Sequence, residues 1–128
     1  MNDFLFNKNI YGVAYYPELW DIGEIDKDIS RFIDLGITTV RIGEFAWSYF
    51  QPDEDTYRFD VFDCALDKLH AAGIAVVFCT PSVTPPRWFT VKYPHSVWVD
   101  CNGKAMSHGS REHVCEANED YIRCSVQI

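Results

Sequence analysis

The chain has little positive charge and no long apolar run. Among its 128 residues, Lys and Arg number 11 against 19 Asp and Glu, so the formal net charge is −8. Nucleic-acid-binding proteins need a basic patch to replace phosphate counterions, so this balance argues against a nucleic-acid partner. No apolar segment reaches the roughly 20 residues of a transmembrane helix. Residues 1–8 (MNDFLFNK) contain an early acid and lack the apolar core of a secretory signal. We therefore expect no membrane partner and a cytoplasmic location.

The cysteine pattern lacks the even count and regular spacing of a disulfide framework. There are five cysteines, at positions 64, 79, 101, 115 and 124. This pattern favours reduced thiols, with one or two of them available as metal ligands. Four metal-capable residues follow one another at intervals of seven, five and two, which fit no zinc-finger spacing: Cys101, His108, His113 and Cys115. A zinc site completed by residues elsewhere is more plausible than a self-contained one.

What the chain does contain is the alternation of an α/β fold. Apolar, strand-like runs near residues 10–15, 37–43 and 74–80 are separated by segments with helical periodicity, and a further helix is predicted to begin near Asn118. This βαβαβ order predicts three parallel strands with right-handed crossovers. The third run is wholly apolar, so we expect that strand to be buried on both faces.

The predicted loops are short on one side of the sheet and long on the other. Gly36 and Gly73 end the helices in minimal turns, while residues 44–56 and 80–117 are long, polar and aromatic. A (β/α)8 barrel shows this asymmetry when the loops at its C-terminal face build the active site. A barrel needs about 200 residues or more. The sequence therefore predicts either a small open α/β domain or the first three βα units of a barrel that does not close in this chain, and its stop inside a helix favours the second.

The richest candidate site follows the second strand. Residues 40–48 (VRIGEFAWS) carry Glu44 and Trp47 at the strand end where α/β proteins bind ligands. We interpret this stretch as a sugar-sized polar pocket walled by Phe45 and Trp47, the alternative being an exposed edge strand with ordinary charges. Glu18, after the first strand, could pair with Glu44 as glycosidase acid and nucleophile. Such residues more often contact substrate or brace loops.

Two further segments could contribute to the same pocket. Residues 80–88 (TPSVTPPRW) contain three prolines that stiffen the backbone, and they predict either a rigid pocket wall with an aromatic platform or a structural corner. Arg111 is a candidate substrate clamp, since its fork of donors matches sugar hydroxyls or a carboxylate. We expect it on the same face as Glu44, near the end of the third strand.

Four collinear segments resemble the β-galactosidases of glycoside hydrolase family 42. They are residues 12–20 (GVAYYPELW), 40–48, 80–88 and 109–115 (GSREHVC), which match in order and spacing across essentially the whole chain. The resemblance implies that residues 1–128 are the N-terminal fragment of a TIM-barrel catalytic domain. It also implies retaining hydrolysis of terminal β-D-galactosides, in a full-length parent that is a homo-oligomer.

The resemblance also implies roles for individual residues. Arg111 matches a substrate-contacting arginine, which we combine with Glu44 and Trp47 as the predicted galactoside-binding set. Cys115 matches one ligand of a structural zinc, although Glu116 stands where the family often has proline. The family's acid/base and nucleophile glutamates, and its other zinc cysteines, follow later strands than those present here. We therefore expect no catalytic residue, no bound zinc and no activity in this chain alone. The alternatives are a non-catalytic carbohydrate-binding or interaction module and a truncated product without function.

Overall fold

A computed structural model of the protein describes residues 10–109 and 113–128. These residues form two compact units, residues 10–42 with 60–79 and residues 43–59 with 80–109 and 113–128, which we call the sheet unit and the aromatic unit. None of the helices in the described part of the chain is both long and apolar enough to cross a membrane.

The sheet unit is built on three parallel strands in the order β1-β2-β3. The strands are β1 (Gly12–Ala14), β2 (Thr39–Ile42) and β3 (Ala75–Phe78). In register, Val40 of the central strand pairs with Val13 on one side and Val76 on the other. The predicted three parallel strands are confirmed, each shorter than the apolar run that predicted it.

Two helices complete this unit and contact each other: α1 (Ile25–Asp34) and α3 (Asp60–Ala71). Their apolar residues recur at the spacing of one helix face, so that face is buried while the charged face stays in water. The core of the unit comprises Ile25, Ile29, Val40, Ile42, Phe62, Ala65 and Leu69. A short 3₁₀ turn, Ile22–Glu24, precedes α1. After α1, Gly36 takes a φ of 70°, the left-handed conformation that ends a helix at little cost in glycine.

The third strand is less buried than its sequence predicts. Val77 and Phe78 are each 48% exposed, so the expectation of burial on both faces is wrong for this chain. The reason lies in the strand order, because β3 is an edge of the sheet in the described structure. Apolar composition marks a strand suited to burial, but a neighbouring element has to supply that burial.

The aromatic unit contains the long loops and three helices. These are α2 (Trp47–Phe50), α4 (Arg87–Lys92) and α5 (Glu119–Gln127). The predicted start of α5 is confirmed: the Asn118 side chain accepts a hydrogen bond from the Tyr121 amide at 3.1 Å. The segment 80–117, predicted as a long loop, includes α4 and a 3₁₀ turn at Pro94–Ser96, which are short enough to escape a periodicity test.

Gly12 gives a direct test of the strand packing. A Cβ added there would lie 2.8 Å from the backbone oxygen of Thr39 on β2, and a backbone atom cannot move aside cheaply. We expect Gly12→Ala to lower the free energy of unfolding by about 1–3 kcal/mol, measured by urea denaturation.

The matched control is Gly23→Ala. There the nearest atom is the flexible Asp21 carboxylate at 3.1 Å, so the effect should be much smaller. Equal stability of Gly12→Ala and the unaltered chain would contradict the close approach of β1 and β2.

Candidate functional site

The segment that carries the first residues of the candidate site begins with a sharp turn at the end of β2. The chain passes through Gly43 with a φ of 82°, a conformation that side chains disfavour. The Ala46 amide then donates to the Gly43 carbonyl at 3.3 Å, and α2 begins at Trp47. This turn brings Phe45 and Ser48, on either side of Ala46 and Trp47, to the wall of one cavity.

The cavity lies within the aromatic unit and has a volume of about 340 Å³. Its described lining comprises Phe45, Ser48, Thr84, Pro85, Pro86, His108, Gly109 and His113, and we call it the His108 cavity. Its size is at the lower end of the range for small-molecule sites. A flat apolar ring, two hydroxyls and two imidazoles give it the mixed character that a sugar ring requires, with an apolar face and polar edges.

Thr84 lines the cavity and carries a buried hydroxyl. Its Oγ1 is buried, and no hydrogen-bond partner for it exists among the described residues. A buried polar atom normally has a partner, and those without one point to strain, water or a ligand. Pro85 and Pro86, which follow Thr84, are both buried and hold the backbone at the cavity wall.

Two histidines also line the cavity. The rings of His108 and His113 lie 5.1 Å apart at 75°, and His113 is only 1% exposed. Nδ1 of His108 lies 3.5 Å from Oγ1 of Thr90. The pKa of His108 is lowered, first by partial desolvation of its ring and then by its electrostatic interactions with His113 and Arg87. His108 therefore favours the neutral form near pH 7, in which one ring nitrogen donates a hydrogen bond and the other accepts one.

Trp47 is part of the hydrophobic core of the aromatic unit and is not among the residues described as lining the cavity. Its side chain is 0% exposed and packs 6.1 Å from the ring of Phe89 and 6.2 Å from that of Tyr121. The interpretation of Trp47 as a pocket wall is therefore corrected by its burial, since a fully buried indole has no free face for a sugar. Phe45, the other predicted wall residue, does line the cavity.

Gln51 is the residue that sequence reasoning missed. Its buried amide accepts a hydrogen bond from Nε1 of Trp47 at 2.8 Å and donates to the Glu54 carbonyl at 2.8 Å. Its backbone oxygen accepts a hydrogen bond from Nε1 of Trp88, also at 2.8 Å. One residue thus accepts hydrogen bonds from the indole groups of both Trp47 and Trp88. The spacing of Trp47 and Gln51 by four residues was the available signal, because such pairs meet on one helix face.

Comparison with known proteins decides the family. The profile of the β-galactosidase family glycoside hydrolase 42 matches residues 14–128. The chain belongs to glycoside hydrolase family 42.

Two curated relatives show how much of a family 42 protein this chain represents. It is 42% identical to β-galactosidase YesZ of Bacillus licheniformis, over 91% of this chain and 17% of that protein. It is 40% identical to YesZ of Bacillus subtilis, over 94% of this chain and 18% of that protein. The chain thus spans less than a fifth of the length of these relatives.

Solved structures of the family agree with the fold described above. The β-galactosidase of the Antarctic haloarchaeon Halorubrum lacusprofundi superposes with a TM-score of 0.89 at 33% identity, over 94% of this chain and 18% of its own. That of the psychrophilic Marinomonas ef1 gives a TM-score of 0.85 at 35% identity, over 91% of this chain and 18% of its own. The predicted fold class, an unclosed part of a (β/α)8 barrel with a parallel sheet, is confirmed.

The two charged members of the predicted binding set have different outcomes. Arg111 lies outside the described residues, so its predicted position on the face of Glu44 stays a prediction. Glu44 is half-buried directly after Gly43, one residue before Phe45, and is not itself among the residues described as lining the His108 cavity.

In the sheet unit, burial raises the pKa of Glu18, whose buried Oε2 has no hydrogen-bond partner in the described structure.

Cys115 offers a single thiol to the zinc that family 42 implies. It is half-buried, and its backbone amide donates to the Ser96 carbonyl at 2.8 Å. Within residues 10–109 and 113–128, no group of three or more His, Cys, Asp or Glu side chains could hold a metal ion. Structural zinc takes four ligands, so the described residues fit the metal only as one corner of a site completed from elsewhere.

The role of Gln51 can be tested by stability. Gln51→Leu leaves the Trp47 indole N–H and the Glu54 carbonyl without their buried partner, and each such group costs about 1–3 kcal/mol. We expect a loss of at least about 2 kcal/mol in the free energy of unfolding, with a change in tryptophan near-UV circular dichroism. Gln127→Leu, the same change at an exposed position of α5, should alter stability by less than about 0.5 kcal/mol. Similar losses in both variants would refute the bracing role.

The lowered pKa of His108 predicts a pH dependence of stability. Because the unfolded chain takes up this proton more readily than the folded chain, stability rises with pH through this group. The contribution is fully present above the ordinary histidine pKa of about 6.5 and is lost as the pH falls towards the folded value. We expect His108→Gln to flatten the decline of the urea midpoint between about pH 7 and pH 5.

His70→Gln is the control for this experiment, since His70 is exposed on α3. It should leave the pH dependence close to that of the unaltered chain. A decline that His108→Gln does not change would contradict the cause assigned to it.

Proposed function

We propose that this chain is part of a β-galactosidase that hydrolyses terminal β-D-galactosides with retention of configuration, and that the chain supplies sugar contacts rather than the catalytic pair. The observation that carries the proposal is the family match over residues 14–128. It is supported by the small polar cavity whose lining includes Phe45, two residues after Gly43. The same proposal places the protein in the cytoplasm as part of a homo-oligomer, with a structural zinc to which Cys115 contributes.

The cavity suits a galactose ring in three respects. Phe45 offers an aromatic surface to the C–H face of the sugar. Thr84 carries a hydroxyl without a partner among the described residues, which could donate to or accept from a sugar hydroxyl, and a neutral His108 can do both through its two nitrogens. Glu44 and Arg111 would add acceptors and donors at the rim, where an arginine fork can engage two oxygens at once.

The reaction itself requires groups beyond these. Retaining glycosidases use two carboxyl groups about 5–5.5 Å apart, one as nucleophile and one as acid and then base. No carboxylate is among the residues described as lining the His108 cavity. We assign that pair to later strands of the parent enzyme, so binding and positioning are the expected contribution of this chain.

The same observation supports a second candidate function. A polar cavity with an aromatic wall but without a lining carboxylate is also what a non-catalytic carbohydrate-binding module would present. The two functions differ in whether the parent protein cleaves the sugar that this cavity binds. They agree in predicting that the cavity recognises galactose.

The first experiment is a hydrolysis assay of the purified chain. A chromogenic β-galactoside should be hydrolysed no faster than in buffer, because the paired carboxylates are not supplied. Turnover that vanished on Glu44→Gln would show that the chemistry resides in this chain and that our assignment is wrong.

The second experiment is a galactose titration followed by backbone amide NMR shifts. We expect shifts at Phe45, Ser48 and Thr84, and an affinity lowered about 2- to 10-fold by Thr84→Val, the effect of one hydrogen bond. Thr56→Val, at an exposed position of the same unit, is the matched control and should bind galactose as the unaltered chain does. Galactose that shifts no cavity residue would rule out this site.

A further inference from the structure

Thr90 of α4 contacts the ring of His108 at one of its two nitrogens. The Thr90 side chain is only 6% exposed, and its Oγ1 lies 3.5 Å from Nδ1 of His108. A neutral imidazole carries one proton, on either Nδ1 or Nε2, and the hydrogen bond that one nitrogen makes decides which of them carries it. The partners of the Thr90 hydroxyl therefore determine what His108 offers to the cavity.

The hydroxyl of Thr90 has three hydrogen-bond contacts among the described residues. It donates to the backbone oxygen of Arg87 at 3.1 Å, and it accepts from Nη1 of Arg87 at 3.5 Å. The third contact is the one with Nδ1 of His108. A threonine hydroxyl has one proton to donate and two lone pairs with which to accept. Because the Arg87 carbonyl cannot donate and is the nearest of the three groups, we assign the single proton of Thr90 to it.

This assignment leaves one direction for the hydrogen bond between Thr90 and His108. With its proton committed to Arg87, the Thr90 oxygen can only accept, so Nδ1 of His108 has to donate. The one proton of the neutral ring then lies on Nδ1, and Nε2 keeps a lone pair. In water, neutral histidine favours the other tautomer, with its proton on Nε2. The contact with Thr90 therefore reverses the ordinary preference.

The surroundings of His108 keep the lone pair of Nε2 available to a ligand. The lowered pKa of the ring favours its neutral form near pH 7. The ring is exposed and lines the cavity, and within the described part of the chain its one hydrogen bond is that of Nδ1. An unprotonated Nε2 accepts hydrogen bonds and cannot donate them.

We propose that Thr90 is a positioning residue that holds His108 as the Nδ1–H tautomer, so that Nε2 of His108 accepts a hydrogen bond from a hydroxyl group of the ligand. Thr90 acts through His108 and does not touch the ligand. The inference deepens the proposed function, and its ligand part rests on that function: one hydroxyl of galactose donates its proton to Nε2. It narrows the role of His108 in that function from donating or accepting to accepting alone.

The first experiment measures the tautomer directly. In ¹⁵N-labelled protein at about pH 8, above the ordinary histidine pKa of about 6.5, long-range ¹H–¹⁵N correlation spectra distinguish a protonated ring nitrogen from an unprotonated one. We expect His108 to carry its proton on Nδ1, and His70, an exposed histidine of α3, to carry its proton mainly on Nε2. Thr90→Val keeps the shape of the side chain but removes the acceptor, so His108 should change to the Nε2–H tautomer. Thr90→Ser keeps the hydroxyl and should keep the Nδ1–H tautomer.

The controls separate this role from a merely structural one. The resonances of His108 are identified by their absence from His108→Gln, and circular dichroism checks that Thr90→Val folds. Thr56→Val, at an exposed position of the same unit, should leave the tautomer of His108 unchanged. The proposal is overturned if His108 of the unaltered chain carries its proton on Nε2, a measurement that needs no variant to fold. It is also overturned if a folded Thr90→Val keeps the proton on Nδ1.

A galactose titration tests the ligand separately. Saturating D-galactose should move the ¹⁵N shift of Nε2 of His108 upfield, as expected when its lone pair accepts a hydrogen bond, and should leave Nδ1 protonated. The Kd for galactose should rise about 2- to 10-fold in Thr90→Val and stay close to that of the unaltered chain in Thr90→Ser.

The titration also distinguishes a failure of this inference from a failure of the proposed function. Galactose that shifts the amides of Phe45 and Thr84 without moving Nε2 of His108 would overturn the acceptor role. Galactose that shifts no cavity residue, in a chain whose His108 carries its proton on Nδ1, would count against the proposed function and leave the positioning role of Thr90 standing.

Discussion

The parallel pairing of β2 with a strand on each side is the constraint on which the sheet unit depends. Val40 and Ile42 are both 0% exposed, and the strand that carries them pairs with β1 on one side and β3 on the other. The close approach of Gly12 to the Thr39 backbone belongs to the same pairing. β2 ends at Ile42, and the next residue, Gly43, takes the left-handed conformation.

In the aromatic unit, the corresponding constraint is a buried amide. Gln51 joins two tryptophan side chains and a carbonyl through hydrogen bonds of 2.8 Å in a water-poor interior. A fully satisfied polar network of this kind specifies one arrangement, since any other would leave a buried group without a partner. Phe45 and Ser48, which line the cavity, lie within two residues of Trp47 in the chain, so the network holds the segment that carries them.

The sheet unit combines a well-defined interior with an incomplete exterior. Its core is as buried as that of a finished domain, yet apolar residues stay exposed along β3 and beside β1. This combination explains how a chain that spans 18% of a relative can superpose on a family 42 structure with a TM-score of 0.89. The contacts that shape these elements lie within the described residues, whereas the described residues leave part of their apolar surface exposed.

The sequence by itself determined the order, type and direction of the main elements and the family. Alternating strand and helix periods predict the three parallel strands, Asn118 predicts the start of α5, and the four collinear segments carry the family 42 resemblance. These features follow from local spacing, which a sequence displays directly.

The tertiary structure alone decided which apolar residues are buried. Trp47 became core and Phe45 became cavity wall, although both are aromatic residues of one short segment. Gln51 gained its role from Trp88, a residue distant in the chain. Val77 is exposed because, in the described sheet, β3 has no flanking strand on its outer side. Burial depends on what packs against a side chain in space, and no local pattern of residue types contains that information.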